Sequence, residues 1–157
     1  VGGTLVFAYF PNKEALFVAA VDTDAAAVIH EGVASLDRFG SRQWRDGLLT
    51  TLVTAVERHP LARRLLAGLE PETTARVLDI PALAEMRKAV AERLRAEQAS
   101  GTVRDDIDAA VIANGVVSIV LSLLMSVVQL GAGVAAPYAA DVIAVLEAAL
   151  DAEPPER

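Results

Sequence analysis

The chain has 157 residues, 54% of them hydrophobic and only 4% aromatic, with a mean hydropathy of +0.41, so any core is aliphatic. It has no cysteine, which excludes a disulfide scaffold, a thiol nucleophile and cysteine-ligated zinc and fits a reducing cytoplasm. The net charge of −7 is spread as −3 over residues 1–40, +3 over 41–104 and −7 over 105–157, with no basic stripe, which argues against bulk nucleic-acid binding by this piece alone.

Residue 1 is Val, and no basic flank, apolar run and cleavage site occur together near it, so no signal peptide is expected and the chain reads as a fragment short of its true N-terminus. Pro11-Asn12-Lys13-Glu14 starts a helix: Asn12 can cap it and Glu14 sits in the first turn, where the helix dipole favours an acid. This helix should run to about Leu36 and close at Phe39-Gly40. Ser41 is the expected cap of a second helix to about Arg58, whose Trp44, Leu48, Leu52, Ala55, Val56 and His59 follow 3–4 spacing. Pro60 breaks it. A short helix over Leu61–Leu69, a break at Glu70-Pro71-Glu72 and a turn over Thr73–Leu78 should come next. Pro81 opens a helix to about Gln98 with Leu83, Met86, Val90 and Leu94 inward, ended by Ser100-Gly101. Asp105-Asp106-Ile107-Asp108 should start the longest helix, ending near Gly131. Pro137 should open the last one, to about Ala152, leaving residues 153–157 as a frayed tail. No strand signal or internal repeat is present, and the expected class is all-α.

From Ala109 to Ala140 there is no charged residue, a run of 32. Length alone suggests a membrane span. However, acids (Asp105, Asp106, Asp108 and Asp141) rather than Lys or Arg anchors stand next to its two ends, and Gly131, Gly133 and Pro137 interrupt it. Within the helix, Asn114, Ser118, Ser122, Ser126 and Gln129 fall on one arc and the bulky aliphatics on the rest. A soluble helix with no charged face must be covered on every side. In the last helix Ala140, Ala144 and Ala148 form a ladder of small residues, while Tyr138, Val142, Val145, Leu146 and Ala149 form an apolar face. A homodimer through these two helices, without a membrane, is the simplest cover. The serine stripe lies either in that seam or in a ligand cavity.

Tyr9-Phe10-Pro11-Asn12-Lys13-Glu14-Ala15-Leu16 resembles the junction in tetracycline-repressor-like (TetR) regulators where the recognition helix ends in an aromatic pair and the next helix starts at Phe-Pro-x-Lys-Glu-x-Leu. Gly3-Thr4-Leu5 is similar to that family's Gly-Thr-Leu, with one residue too many before the aromatic pair. Aligned without a gap, Phe7 takes the aromatic position instead, and both alignments stay open. Gly101-Thr102-Val103-Arg104-Asp105-Asp106-Ile107-Asp108 resembles the lead into the family's eighth helix. The resemblance implies that residues 1–12 end a DNA-binding head whose first two helices are missing, and that 13–152 form a ligand-binding and dimerisation body. It implies DNA contacts at Thr4, Phe7, Tyr9 and Lys13, the last two on phosphate, and Phe10 packing head onto body. Read without it, Tyr9 and Phe10 are ordinary core aromatics.

The function so implied is a cytoplasmic, ligand-responsive transcriptional regulator, a repressor that binds operator DNA as a dimer and is released by a small hydrophobic molecule. The expected pocket is lined by Trp44, Leu48, Leu52, Val56, His59, Leu66, Met86, Ile119 and Leu123, each of which also reads as plain core. His59 either caps its helix or offers a ligand a polar contact, and His30 reads as a surface residue. No metal-ligand spacing, nucleophile or acid–base pair stands out, and Gly131-Ala132-Gly133 follows no strand, so no enzyme, metal or cofactor is expected. The alternatives are a small helical binding or enzymatic module and a membrane-associated helical protein.

Overall fold

A computed structural model describes residues 9–68 and 75–152. The fold is all-α: α1 (Lys13–Ser35), α2 (Trp44–Arg58), α3 (Pro60–Leu66), a 3₁₀ turn (Ala75–Asp79), α4 (Pro81–Ala99), α5 (Ala109–Leu130) and α6 (Ala132–Leu150). Among the described residues no strand forms, and Val103 and Asp151 make one isolated bridge. Thr4 and Phe7, the tail, and most of the expected head remnant lie outside the described residues.

α1 begins where the sequence places it, with the Asn12 carboxamide oxygen accepting the Ala15 N–H at 2.8 Å. It buries Val21, Ala25, Val28, Ile29 and Gly32 at 3–4 spacing and packs against α2, α3 and α4. Gly32 marks the closest approach: a Cβ there would stand 2.7 Å from Leu52 Cδ2 and 3.1 Å from Met86 Cε. α5 crosses α2, α3 and α4 on the other side, and α6 lies along α5. The aliphatic core fills the space between α1 and α5.

Two helix starts, those of α2 and α6, differ from the sequence expectation. α2 starts at Trp44, three residues after Ser41, with no side-chain cap. Its start is fixed by tertiary anchors instead. Glu97 of α4 accepts Trp44 Nε1 at 2.9 Å, Arg45 Nη2 at 3.2 Å and Arg93 Nε at 3.2 Å. Arg93 also donates to the carbonyls of Leu36 and Phe39, closing the α1–α2 connection. Burial pulls the Arg45 guanidinium below its ordinary pKa, against the opposing pull of Glu97. α5 starts within the expected Asp105–Asp108 stretch: the Asp108 carboxylate accepts the Ala110 N–H at 2.7 Å, while Asp106 pairs with Arg104 at 2.6 Å. α6 starts at Ala132, so Pro137 lies inside it. The carbonyl of Gly133, four residues earlier, loses its intrahelical partner but is exposed to water. At 22 residues α5 is one shorter than α1, which is the longest helix.

Candidate ligand cavity and outer helical face

The wall of a cavity is assembled from every helix except α6. Ala25, Val28 and Ile29 come from α1, Leu52 from α2, and Ala62, Leu65 and Leu66 from α3. Val77 belongs to the 3₁₀ turn, Ile80 to its junction with α4, and Leu83 and Met86 to α4 itself. Val117, Val120, Leu121 and Leu124 of α5 complete it. Every one of these side chains is aliphatic or a thioether. The cavity is about 40 Å³ and partly open to solvent. That is room for a few waters at roughly 10–15 Å³ each, but the described wall offers them no polar side-chain partner. The slot is therefore small, apolar and suited to hydrocarbon.

Of the nine residues expected to line a pocket, Leu52, Leu66 and Met86 do so. Trp44, Leu48 and Val56 are buried in the core beside it. Ile119 and Leu123 point the other way, into a shallow groove between α5 and α6. Sequence reasoning missed the α1 wall, although Val21, Ala25, Val28 and Gly32 carry the same 3–4 spacing used to read the other helices.

His59 neither caps the α2 carbonyls nor faces the cavity. Its Nδ1 is 2.7 Å from Asp24 and its Nε2 3.3 Å from Glu31, both on α1. Arg58 pairs with Glu31 as well. Asp24 also accepts the backbone N–H groups of Leu61 and Ala62 at 2.9 and 3.0 Å, so one carboxylate ties α1 to the first turn of α3. The Asp24 hydrogen bond, opposed by burial and aided by Glu31, holds the His59 pKa above its usual value. Burial pushes Asp24 up, but the Ala62 N–H, His59 and the Leu61 N–H outweigh it and hold its pKa down. An imidazole with a carboxylate at each nitrogen donates from both, which is the charged form. The cluster is a structural joint. His30 lies on the surface of α1, 3.2 Å from Glu85. Among the described residues no group of three or more acidic or histidine side chains is arranged to hold a metal ion.

The outer face of α5 and α6 is apolar and largely uncharged. Asn114, Ser118, Ser122, Gln129, Ala140, Ala144 and Ala148 are exposed there, and Ser126 is half-buried. Val111, Leu130, Val134, Tyr138 and Val145 stand out beside them, with Val145 70% exposed. Ser118, Ser122 and Ser126 each donate to the carbonyl four residues back, at 2.8–2.9 Å. Their hydroxyl hydrogens are thus already used, and a dry partner covers this stripe with little desolvation penalty. Gln129 reaches inward to the Leu66 carbonyl at 2.9 Å, tying α5 to the end of α3.

At the N-terminal end Tyr9 is 81% exposed, Lys13 is exposed and Phe10 is half-buried. Tyr9 and Lys13 stand beside the start of the helix whose later turns wall the cavity. No protein-family model, curated protein or solved structure matches the chain.

Proposed function

We propose that this chain is the sensing and pairing body of a ligand-responsive DNA-binding regulator of the tetracycline-repressor type. One observation carries the reading: α1 bears the Tyr9–Leu16 motif at its first end and supplies Ala25, Val28 and Ile29 to the wall of an apolar cavity. The helix that leaves the head is therefore part of the ligand site. A molecule that widens the slot has to move one of the elements that wall it, and where that element is α1 the movement passes to whatever precedes it. Tyr9 and Lys13 fit phosphate contact at that junction, and the back-bonded serine face of α5 with the outer face of α6 fits a second copy of the chain.

Two heads on such a dimer reach successive major grooves when they stand about 34–36 Å apart. A ligand that prefers another spacing weakens operator binding by its differential affinity, about 1–3 kcal/mol in typical allosteric couplings. The test has two parts. The solution mass should be twice 16.5 kDa without detergent. With a complete helix-turn-helix head joined to Val1, operator affinity should fall when the cavity is occupied; equal affinity with and without every cavity-bound compound would end the sensing claim.

A second reading has an observation of its own. α5 and α6 are both long and apolar enough to cross a membrane. In that reading the same outer face meets lipid, and the chain purifies only with detergent.

A further inference from the structure

We propose that the cavity takes an unbranched hydrocarbon chain, the alkyl part of a fatty or lipid-like compound, and holds it without a single polar contact. The inference rests on reading the cavity as a ligand site and names what fits there. Among the described residues the wall contains no donor or acceptor side chain, only aliphatic groups and the Met86 thioether. A ligand oxygen or nitrogen placed against them loses its water and gains no partner, so the part of the ligand enclosed there must be hydrocarbon. Among the described residues no aromatic side chain lines the slot either, so a ring gains no stacking or edge-to-face contact from them.

Shape makes the choice sharper. The cavity is only about 40 Å³, so an occupant enters by displacing side chains rather than by dropping into a ready-made void. A methylene chain is one carbon wide and bends at every bond. It needs only small rotamer changes in its neighbours, and Met86, unbranched and flexible, is the most adaptable of them. A fused ring is a rigid slab and needs the walls to part along its whole width. α3, the shortest helix of the wall, is held to α1 through Asp24 and to α5 through Gln129, so it keeps its place while side chains adjust.

The chain carries its own reporters. It has two methionines: Met86 borders the cavity, whereas Met125 of α5 is partly buried outside it. The experiment labels both methyl groups with ¹³C in the full chain and titrates the n-alcohols from hexanol to dodecanol, with naphthalene as the planar comparison. The Met86 methyl should shift and the Met125 methyl stay. The dissociation constant should fall about fourfold per added methylene until the slot is full. Ala25→Leu, which fills the slot from α1, should weaken decanol binding at least tenfold while the Met125 signal and the helical circular dichroism persist. The wild-type titration decides the matter even if that variant does not fold. Naphthalene shifting Met86 with affinity equal to or above that of decanol overturns the alkyl inference and leaves the ligand-site reading standing. Decanol shifting Met125 alone places the chain elsewhere and overturns the inference. If no probe moves Met86, both the inference and the reading of this cavity as a ligand site fail.

Discussion

Replacing Gly32 and Gly47 by alanine, one at a time, measures whether the space beside α1 is usable slack. Both glycines lie within helices, where alanine is intrinsically favoured by about 0.8–1.0 kcal/mol, less near a helix end. At Gly32 the new methyl meets Leu52 Cδ2 at 2.7 Å, Met86 Cε at 3.1 Å and Leu48 Cδ1 at 3.2 Å. All three are tips of flexible side chains. Leu52 and Met86 border the cavity, so they have unfilled space to turn into. At Gly47 the new methyl meets three carbons of the Phe39 ring at 2.5, 2.5 and 2.8 Å. A ring moves only as a whole, and Phe39, half-buried and packed on the core, has to leave that contact to make room. Overpacking a filled site costs about 1–3 kcal/mol. Gly32→Ala should therefore stay within about 1 kcal/mol of the parent, because relief into the cavity leaves the helical gain uncancelled. Gly47→Ala should lose about 1–2 kcal/mol net. At this chain length each kcal/mol moves Tm by about 2–4 °C, so Gly47→Ala should melt roughly 2–8 °C below the parent and below Gly32→Ala as well. Thermal melts followed by far-UV circular dichroism read the difference, and urea unfolding followed through Trp44, the single tryptophan, checks it. If Gly32→Ala melts at or below Gly47→Ala, the side chains around the cavity have no room to move, and the slot cannot open for a ligand.

Three further outcomes rest on particular contacts. Glu97→Gln keeps an acceptor for Trp44 Nε1 but leaves Arg45 charged and fully buried with only Glu147 and Asp151 to offset it, which should cost about 3–5 kcal/mol; adding Arg45→Met to Glu97→Gln removes that charge and should recover much of the loss, and a double variant no better than Glu97→Gln would contradict the ion-pair account. The His59 joint should make stability depend on pH with a definite sign. His59 has a raised folded pKa, so its contribution is complete below about pH 6.5 and is lost as pH rises through the folded value. Asp24 has a lowered one, so its contribution is present above about pH 3.9 and is lost as pH falls through the folded value. His59→Gln should remove the loss on the alkaline side and shrink the one on the acid side, because His59 is one of the groups that hold Asp24 down; Tm–pH curves that superimpose for the two proteins would contradict this. Val145→Asp sits 70% exposed in one copy and should change the stability of that copy by less than about 0.5 kcal/mol, yet it should halve the mass seen by light scattering at micromolar concentration. An unchanged mass would remove α6 from the proposed seam.

How much of the fold and the cavity is legible in the sequence depends on the range of the interaction that fixes each feature. Asn12 and Asp108 cap through contacts two or three residues away, and local spacing finds such contacts. The start of α2 is set by Trp44 reaching Glu97, 53 residues on, and no local signal reveals that Ser41 stands idle. Proline's commonest helical position is the first turn, but at Pro137 the freed Gly133 carbonyl is solvated and the helix continues past it. His59 stands at a helix end, which suggests a cap; its partners, Asp24 and Glu31, come from a helix 28–35 residues earlier in the chain. On α5 the apolar positions are legible but not their neighbours. Ile119 and Leu123 look inward by composition, as do Val117, Val120, Leu121 and Leu124, because the whole circumference is apolar or small. Periodicity locates a face only when another face is polar enough to mark the outside.

That ambiguity has a physical source, and it bears on why the run of 32 uncharged residues exists. Around α5, Val117, Val120, Leu121 and Leu124 wall the cavity, while Ser118, Ile119, Ser122 and Ser126 floor the outer groove. A charge on the first side would sit desolvated against hydrocarbon. A charge on the second would be desolvated by the partner proposed to cover it, and two copies meeting face to face would set like charges together. Both demands fall on one helix, so neither side can carry the Lys or Glu that would mark a wet face. The same arrangement puts the cavity and the proposed seam back to back across a single helix diameter, about 10–12 Å. An occupant that parts α5 from α1 therefore shifts the groove floor as it shifts the cavity wall. Dimer affinity and cavity occupancy should then be linked in both directions, each changing the other by the same factor.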